Sequence, residues 1–155
     1  MADIVLNADS TAGITPLTVS FSITIVTGSW STFLWDFGDG HTSTDKDPTH
    51  TYTTTGYHTV IVGTTDDYGS TTTVVMPDWI RVGKLSFEAD PRTSSTVPFV
   101  ASFTNTSFAP TGYELTDWDW DFGDVTLHSG DTGPVHSYDT YNKYNVTLSA
   151  KITKV

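Results

Sequence analysis

The chain of 155 residues contains no cysteine, which removes disulfides, thiolate metal ligands and cysteine nucleophiles together. Cations are scarce as well: 7 Lys and Arg stand against 18 Asp and Glu, for a formal charge of −11. The imbalance is spread along the chain, with 2 basic and 9 acidic residues in 1–83 and 5 basic and 9 acidic in 84–155. Nucleic-acid affinity depends on cations that displace condensed counterions, so a surface of this sign excludes nucleic acid as a partner. No apolar run approaches the roughly 20 residues that cross a bilayer as a helix, and membrane insertion is not expected. The stretch Met1-Ala2-Asp3-Ile4-Val5-Leu6-Asn7-Ala8 has neither the basic region nor the long apolar region of a secretory signal.

What the chain does contain is a repeat. Trp35-Asp36-Phe37-Gly38-Asp39 recurs as Trp120-Asp121-Phe122-Gly123-Asp124, and Pro48-Thr49-His50-Thr51-Tyr52 as Pro134-Val135-His136-Ser137-Tyr138. Upstream, Pro16 to Phe21 is answered by Pro98 to Phe103; downstream, Gly56-Tyr57-His58 is matched to Lys143-Tyr144-Asn145. Four segments in one order mark two folding units, 1–83 and 84–155. Within each, the hydrophobic period is two. Leu17, Val19, Phe21, Ile23 and Ile25 alternate with Thr and Ser, as a half-buried strand requires. Phe33, Trp35 and Phe37 share one face of another strand, as Trp118, Trp120 and Phe122 do in the second copy. Further strands are predicted at 59–63, 72–75, 79–82 and 144–148. Turn compositions such as Gly38-Asp39-Gly40 and Asp66-Asp67-Tyr68-Gly69 separate them. The pattern predicts an all-β chain of two tandem antiparallel β-sandwiches. Their structural core is expected to be Trp35, Phe37, Tyr52 and Tyr57 in the first, and Trp120, Phe122, Tyr138 and Tyr144 in the second.

The run Trp35-Asp36-Phe37-Gly38-Asp39-Gly40, followed by His50-Thr51-Tyr52, Gly56-Tyr57 and Asp66-Asp67-Tyr68-Gly69-Ser70, closely resembles the PKD domain. The second copy keeps the Trp-Asp-Phe-Gly-Asp core and His136-Ser137-Tyr138, but has Val125 in place of Gly40 and Lys143 near the position of Gly56. The resemblance implies an immunoglobulin-like sandwich of the kind found on cell surfaces, in secreted degradative enzymes, in surface layers and in some phage structural proteins. It implies a spacer or adhesive role without catalysis. The second copy is also shortened after Tyr144, so its sandwich is expected to lack a final strand. An open sheet edge is rarely left uncovered, and a protein partner or another copy of the chain is the expected cover.

Candidate sites are sparse. Asp117, Asp119 and Asp121, with Asp124 beyond them, invite a calcium reading because calcium takes several oxygen ligands. Alternate residues on one strand face lie about 6.5 to 7 Å apart, too far to share one ion without a loop. A solvated polar face is the plainer reading, and the same holds for Asp66 and Asp67 in their turn. No cofactor is assigned. Glycoside hydrolysis needs a carboxylic acid of raised pKa facing a second carboxylate across a cleft, which a wet strand face does not supply. The five histidines, His41, His50, His58, His128 and His136, lack the close helical spacing of a zinc site. His50 and His136 recur at one repeat position, which points to a shared structural hydrogen bond. Trp30, Trp79 and Tyr113 fall outside the core motif and are the candidate contacts for a protein or glycan partner.

The leading expectation is a non-catalytic structural protein of a virion surface, such as a phage capsid decoration that contacts the capsid. It rests on Met1 standing directly before the first strand, on the missing signal and on the acidic composition. The alternative is an adhesive or glycan-binding accessory module of a larger secreted enzyme or surface-layer protein, extracellular or at the cell surface.

Overall fold

A computed structural model describes residues 3–155, in which strands, turns and loops are present and no helix occurs. It divides into two compact units, the first ending at Gly83 and the second running from Lys84 to Val155.

In the first unit β1 (Asp3–Ala8), β3 (Leu17–Thr27) and β6 (Thr49–Tyr52) form one sheet in the order β1-β3-β6. The other sheet has five strands: β2 (Ala12–Ile14), β8 (Thr71–Gly83), β7 (Gly56–Asp66), β4 (Trp30–Asp36) and β5 (Thr42–Ser43), in that order. Val19, Phe21 and Ile23 on β3 are buried while the Thr and Ser residues between them face water. The two-residue period that makes this strand therefore also aims its apolar side chains at the facing sheet. There they meet Trp35, Phe37, Val60, Val62, Ile80 and Val82, all of them essentially inaccessible. The Phe21 ring sits 5.4 Å from Trp35 and 5.5 Å from Phe37, both tilted, as aromatic quadrupoles prefer.

Several expectations are corrected here. The segments at 72–75 and 79–82 are one strand, β8, whose register against β7 shifts between His58 and Val60; Asp78 absorbs the shift at φ +48. The pairing of β2 with β8 is parallel (Ala12↔Arg81, Gly13↔Val82), whereas every other pair of the unit is antiparallel. Tyr57 is not core: it is 46% exposed, and the alternation of β7 turns His58, Val60, Val62 and Thr64 inward instead. Trp30 and Trp79, expected near loops, lie in β4 and β8 and are half-buried. Both pack against the core, and the Trp79 ring lies 5.7 Å from Phe21.

In the second unit β9 (Phe87–Asp90), β10 (Phe99–Asn105) and β12 (Val135–Tyr138) make one sheet, ordered β12-β10-β9. β11 (Tyr113–Asp121) pairs with β13 (Thr147–Lys154) in the other. Ala101, Phe103, Trp120, Phe122 and Tyr138 are buried, surrounded by half-buried Phe87, Phe99, Tyr144, Val146 and Leu148. The strand expected from 144 begins only at Thr147. β13 pairs with the Trp-bearing strand as β7 does in the first unit, and among the described residues no strand lies beyond it where β8 lies beyond β7. Between Thr116 and Asp119 the register of β11 slips, with Asp117 at φ +52. The bulge takes Asp117 out of the alternation and leaves Trp118 half-buried, unlike Trp120. Tyr113, opposite Lys154 on β11, is half-buried rather than freely exposed.

Candidate functional site

The most organised polar group in each unit is a carboxylate bound to a histidine at the end of the Trp-bearing strand. Immediately after β4, Asp36 Oδ1 accepts the Gly38 N–H at 2.9 Å and so bends the chain. Gly38 stands at φ +78, and a Cβ there would lie 2.4 Å from the Thr59 carbonyl oxygen on β7. Only glycine allows that approach. The turn delivers Asp39 against β6, where its Oδ2 meets His50 Nε2 at 2.8 Å; its Oδ1 accepts the His41 N–H at 3.2 Å. The His50 ring stacks on Phe37 at 4.2 Å and 2° and meets the Tyr52 ring edge-on at 4.7 Å. Tyr52 donates its hydroxyl to the Phe37 carbonyl at 3.2 Å, and its ring lies 4.6 Å from His58.

The second unit builds the same cluster. Asp121 Oδ1 accepts the Gly123 N–H at 2.8 Å, and Asp124 Oδ2 lies 2.7 Å from His136 Nε2. The His136 ring stacks on Phe122 at 4.0 Å and 1°, and Tyr138 donates to the Phe122 carbonyl at 3.2 Å. Gly123 stands at φ +74 over the Asn145 carbonyl, where Gly38 stands over that of Thr59. This fixes the correspondence downstream: Thr59 answers to Asn145, and therefore His58, not Tyr57, to Tyr144. Tyr144 accordingly stacks on Tyr138 at 4.2 Å, in the place where His58 lies tilted against Tyr52 at 4.6 Å.

Burial alone would raise the pKa of Asp39, but the hydrogen bonds from His50 and the His41 N–H, with the charge of His50, outweigh it and leave the carboxyl below the usual range. Asp124 behaves alike, with Thr126 and His136 as its donors against burial. Burial first, and then the charge of Asp124, pushes the Tyr138 hydroxyl up to about 12; Tyr52 is raised further for the same reasons, with Asp39 and Asp36 as the charges. These groups are held in fixed protonation states at neutral pH, which suits a latch and not an acid–base catalyst.

Asp39, His41 and His50 bring one ligand atom each within 4.8 Å of one another, the one such trio among the described residues. Two of its three donors are already engaged with each other, and His41 is largely exposed. The aspartates singled out in the sequence do not converge. Asp117 sits in the bulge, Asp119 pairs with His128 at 2.9 Å, and Asp121 holds its turn. Asp66 Oδ1 accepts the Tyr68 and Ser70 N–H groups, and Asp67 accepts the Ser29 hydroxyl. These bonds engage one oxygen each of Asp66, Asp67 and Asp121 and both of Asp119 in holding turns and a histidine. Sequence reasoning named His50 and His136 but missed their carboxylate partners. The signal was available, since Asp39 and Asp124 recur in the two copies as the histidines do.

Residues 3–76 match the family model described as the PKD domain. The chain belongs to the PKD domain family through its first unit. A solved PKD1 domain from the Vibrio cholerae metalloprotease PrtV is 32% identical and aligns over 52% of this chain and 93% of its own, with a TM-score of 0.41. Among curated proteins, the Pre-pro-metalloprotease PrtV of Vibrio cholerae is 46% identical over 46 residues, 30% of this chain. The Microbial collagenase of Vibrio alginolyticus is 52% identical over 40 residues, 26% of this chain. The match spans about 5% of the length of either protein. In this PKD domain the Trp-Asp-Phe-Gly-Asp motif does local work: Trp35 and Phe37 fill the core, Asp36 and Gly38 make the turn, and Asp39 ties it to β6.

Proposed function

We propose that the chain is a non-catalytic accessory module of a larger extracellular protein, which spaces other domains and makes weak contacts with protein or glycan. The observation that carries this reading is the fate of its best-placed polar residues. Asp39 with His50, and Asp124 with His136, are used in duplicate to fasten a turn to a strand, each histidine ring lying flat on a phenylalanine. Each histidine is held between a carboxylate at its ring nitrogen and a phenyl ring on its face, an arrangement that fastens a turn. The relatives named above, a metalloprotease and a collagenase that each match over about 5% of their length, favour the accessory reading over a virion-surface component bound to a capsid.

The test has two arms. Purified chain is incubated with gelatin, casein and soluble polysaccharides, and no cleavage is expected. It is then passed over insoluble collagen and polysaccharide, where weak, saturable and salt-sensitive retention is expected. Hydrolysis that co-purifies with the folded chain overturns the non-catalytic reading. Finding the chain in purified virus particles rather than in culture fluid reinstates the virion alternative.

A further inference from the structure

We propose that Asp39, His41 and His50 of the first unit form a binding site for a divalent transition-metal ion, with zinc as the ion of best fit. The trio has a carboxylate at its centre: Asp39 Oδ2 lies 2.8 Å from His50 Nε2, and Asp39 Oδ1 lies 3.3 Å from His41 Nδ1. The three residues bring one ligand atom each within 4.8 Å of one another. In a tetrahedral zinc site with ligands about 2.0–2.1 Å from the ion, neighbouring ligand atoms are roughly 3.3 Å apart. Both carboxylate distances are already near that value, and the two imidazoles close on each other by a turn of the His41 ring, whose side chain is 71% exposed. Two imidazoles with one carboxylate suit zinc, copper or nickel, whereas calcium takes oxygen ligands. Helical spacing is not needed here, because the turn presents Asp39 with His41 and β6 brings His50 to them.

The contacts that fasten the turn also fix the ligands. The His50 ring lies flat on Phe37 and edge-on to Tyr52, the His41 N–H aims the Asp39 carboxylate, and Asp36 holds the bend through the Gly38 N–H. Partners of this kind orient the ligands of metal sites. Chiefly His41 has to move, and its place at the surface gives the ion a way in and leaves a fourth position to water. The second unit repeats this frame in all but that residue. There Asp124 and His136 stand 2.7 Å apart, and Thr126 takes the place of His41 with its hydroxyl bonded to Asp124 Oδ1. A hydroxyl is enough to steady the carboxylate, so the latch does not require an imidazole at this place. The imidazole is what turns two donors into three. The ion replaces the proton that His50 Nε2 shares with Asp39, and that proton passes to Nδ1 of the same ring. The excess of 9 acidic over 2 basic residues in 1–83 favours a cation there.

The inference does not depend on the accessory-module reading, since a spacer, a virion protein or an enzyme can each carry such a site. The whole chain, isotope-labelled and prepared without a histidine tag, is titrated with zinc chloride; bound metal is counted by equilibrium dialysis and located by the histidine-ring and amide resonances. One zinc per chain at micromolar metal is expected, with shifts centred on Asp39, His41 and His50 and no displacement by millimolar calcium. His41→Thr places the second unit's own residue at an exposed position and so keeps the fold. It is expected to weaken binding at least about 100-fold, the upper end of what loss of an outer support costs a metal site. Thr126→His, also at an exposed position, supplies a third donor beside Asp124 and His136 and is expected to raise the count to two. Absence of bound zinc at millimolar metal, unchanged affinity in His41→Thr, or a count that stays at one in Thr126→His overturns the proposal. Displacement by calcium, or shifts centred on Asp119 and His128 instead, overturns it too.

Discussion

Gly38→Ala separates two costs that glycine hides. At φ +78 a Cβ is unfavourable in itself, by about 1–2 kcal/mol for an L-residue in the left-handed region. Here it would also lie 2.4 Å from the carbonyl oxygen and 3.0 Å from the nitrogen of Thr59, backbone atoms held in β7 between two other strands. A backbone neighbour cannot swing aside, so overpacking adds a further 1–3 kcal/mol, roughly. Gly40 is the control: it has φ +91 and nothing within 4 Å, and its alanine variant carries only the conformational cost. The expected losses are about 2–5 kcal/mol for Gly38→Ala and about 1–2 for Gly40→Ala. Urea unfolding followed by resolved amide resonances measures each unit against the other, which stays as an internal reference. Gly123→Ala, facing the Asn145 carbonyl at 2.6 Å, should reproduce the larger loss in the second unit. Equal losses for Gly38→Ala and Gly40→Ala would refute the close contact on which this reasoning stands.

The two central tryptophans should respond differently to replacement by phenylalanine. Trp120 Nε1 donates to the Asp131 carbonyl at 2.8 Å, whereas Trp35 Nε1 is buried without an acceptor. Trp120→Phe should therefore be the costlier by about 1 kcal/mol, and a Trp35→Phe penalty as large or larger in unit-resolved unfolding counts against this difference. Because Asp39 and Asp124 have lowered pKa values in the fold, the stability they add is complete above the ordinary carboxylate value and drains away as pH falls through the lowered one. The unfolding midpoint should hold from pH 7 to about 5 and drop below about 4, and Asp39→Asn should flatten that drop in the first unit alone. The Tyr138 hydroxyl, with a pKa of about 12, should keep its proton well past its usual value; stability from its neutral form is lost between about pH 10 and 12, as its phenolate absorbance appears. Ionisation of Tyr138 at pH 10 in the folded chain would contradict its burial.

The sequence alone determined what depends on near neighbours along the chain. Two-residue alternation made β3 and β4 legible and put Val19, Phe21, Trp35 and Phe37 inside, because a strand's side chains alternate whatever it pairs with. Recurrence marked the two copies, since each repeats its turn and core residues in order. Tertiary structure decided whatever depends on a partner strand. Tyr57 and His58 are adjacent, and the pairing of β7 between β4 and β8 decides which of them faces the core. The bulge at Asp117 breaks an alternation that the letters continue unbroken. Trp30 and Trp79 look like loop aromatics until long-range pairing lays them on the core. The union of Asp39 with His50 spans 11 residues, and a turn and a strand must both form before it exists. The second unit shows the same dependence from the other side: residues 142–146, which answer to 56–60 of β7, lie outside any strand, and among the described residues none pairs with them.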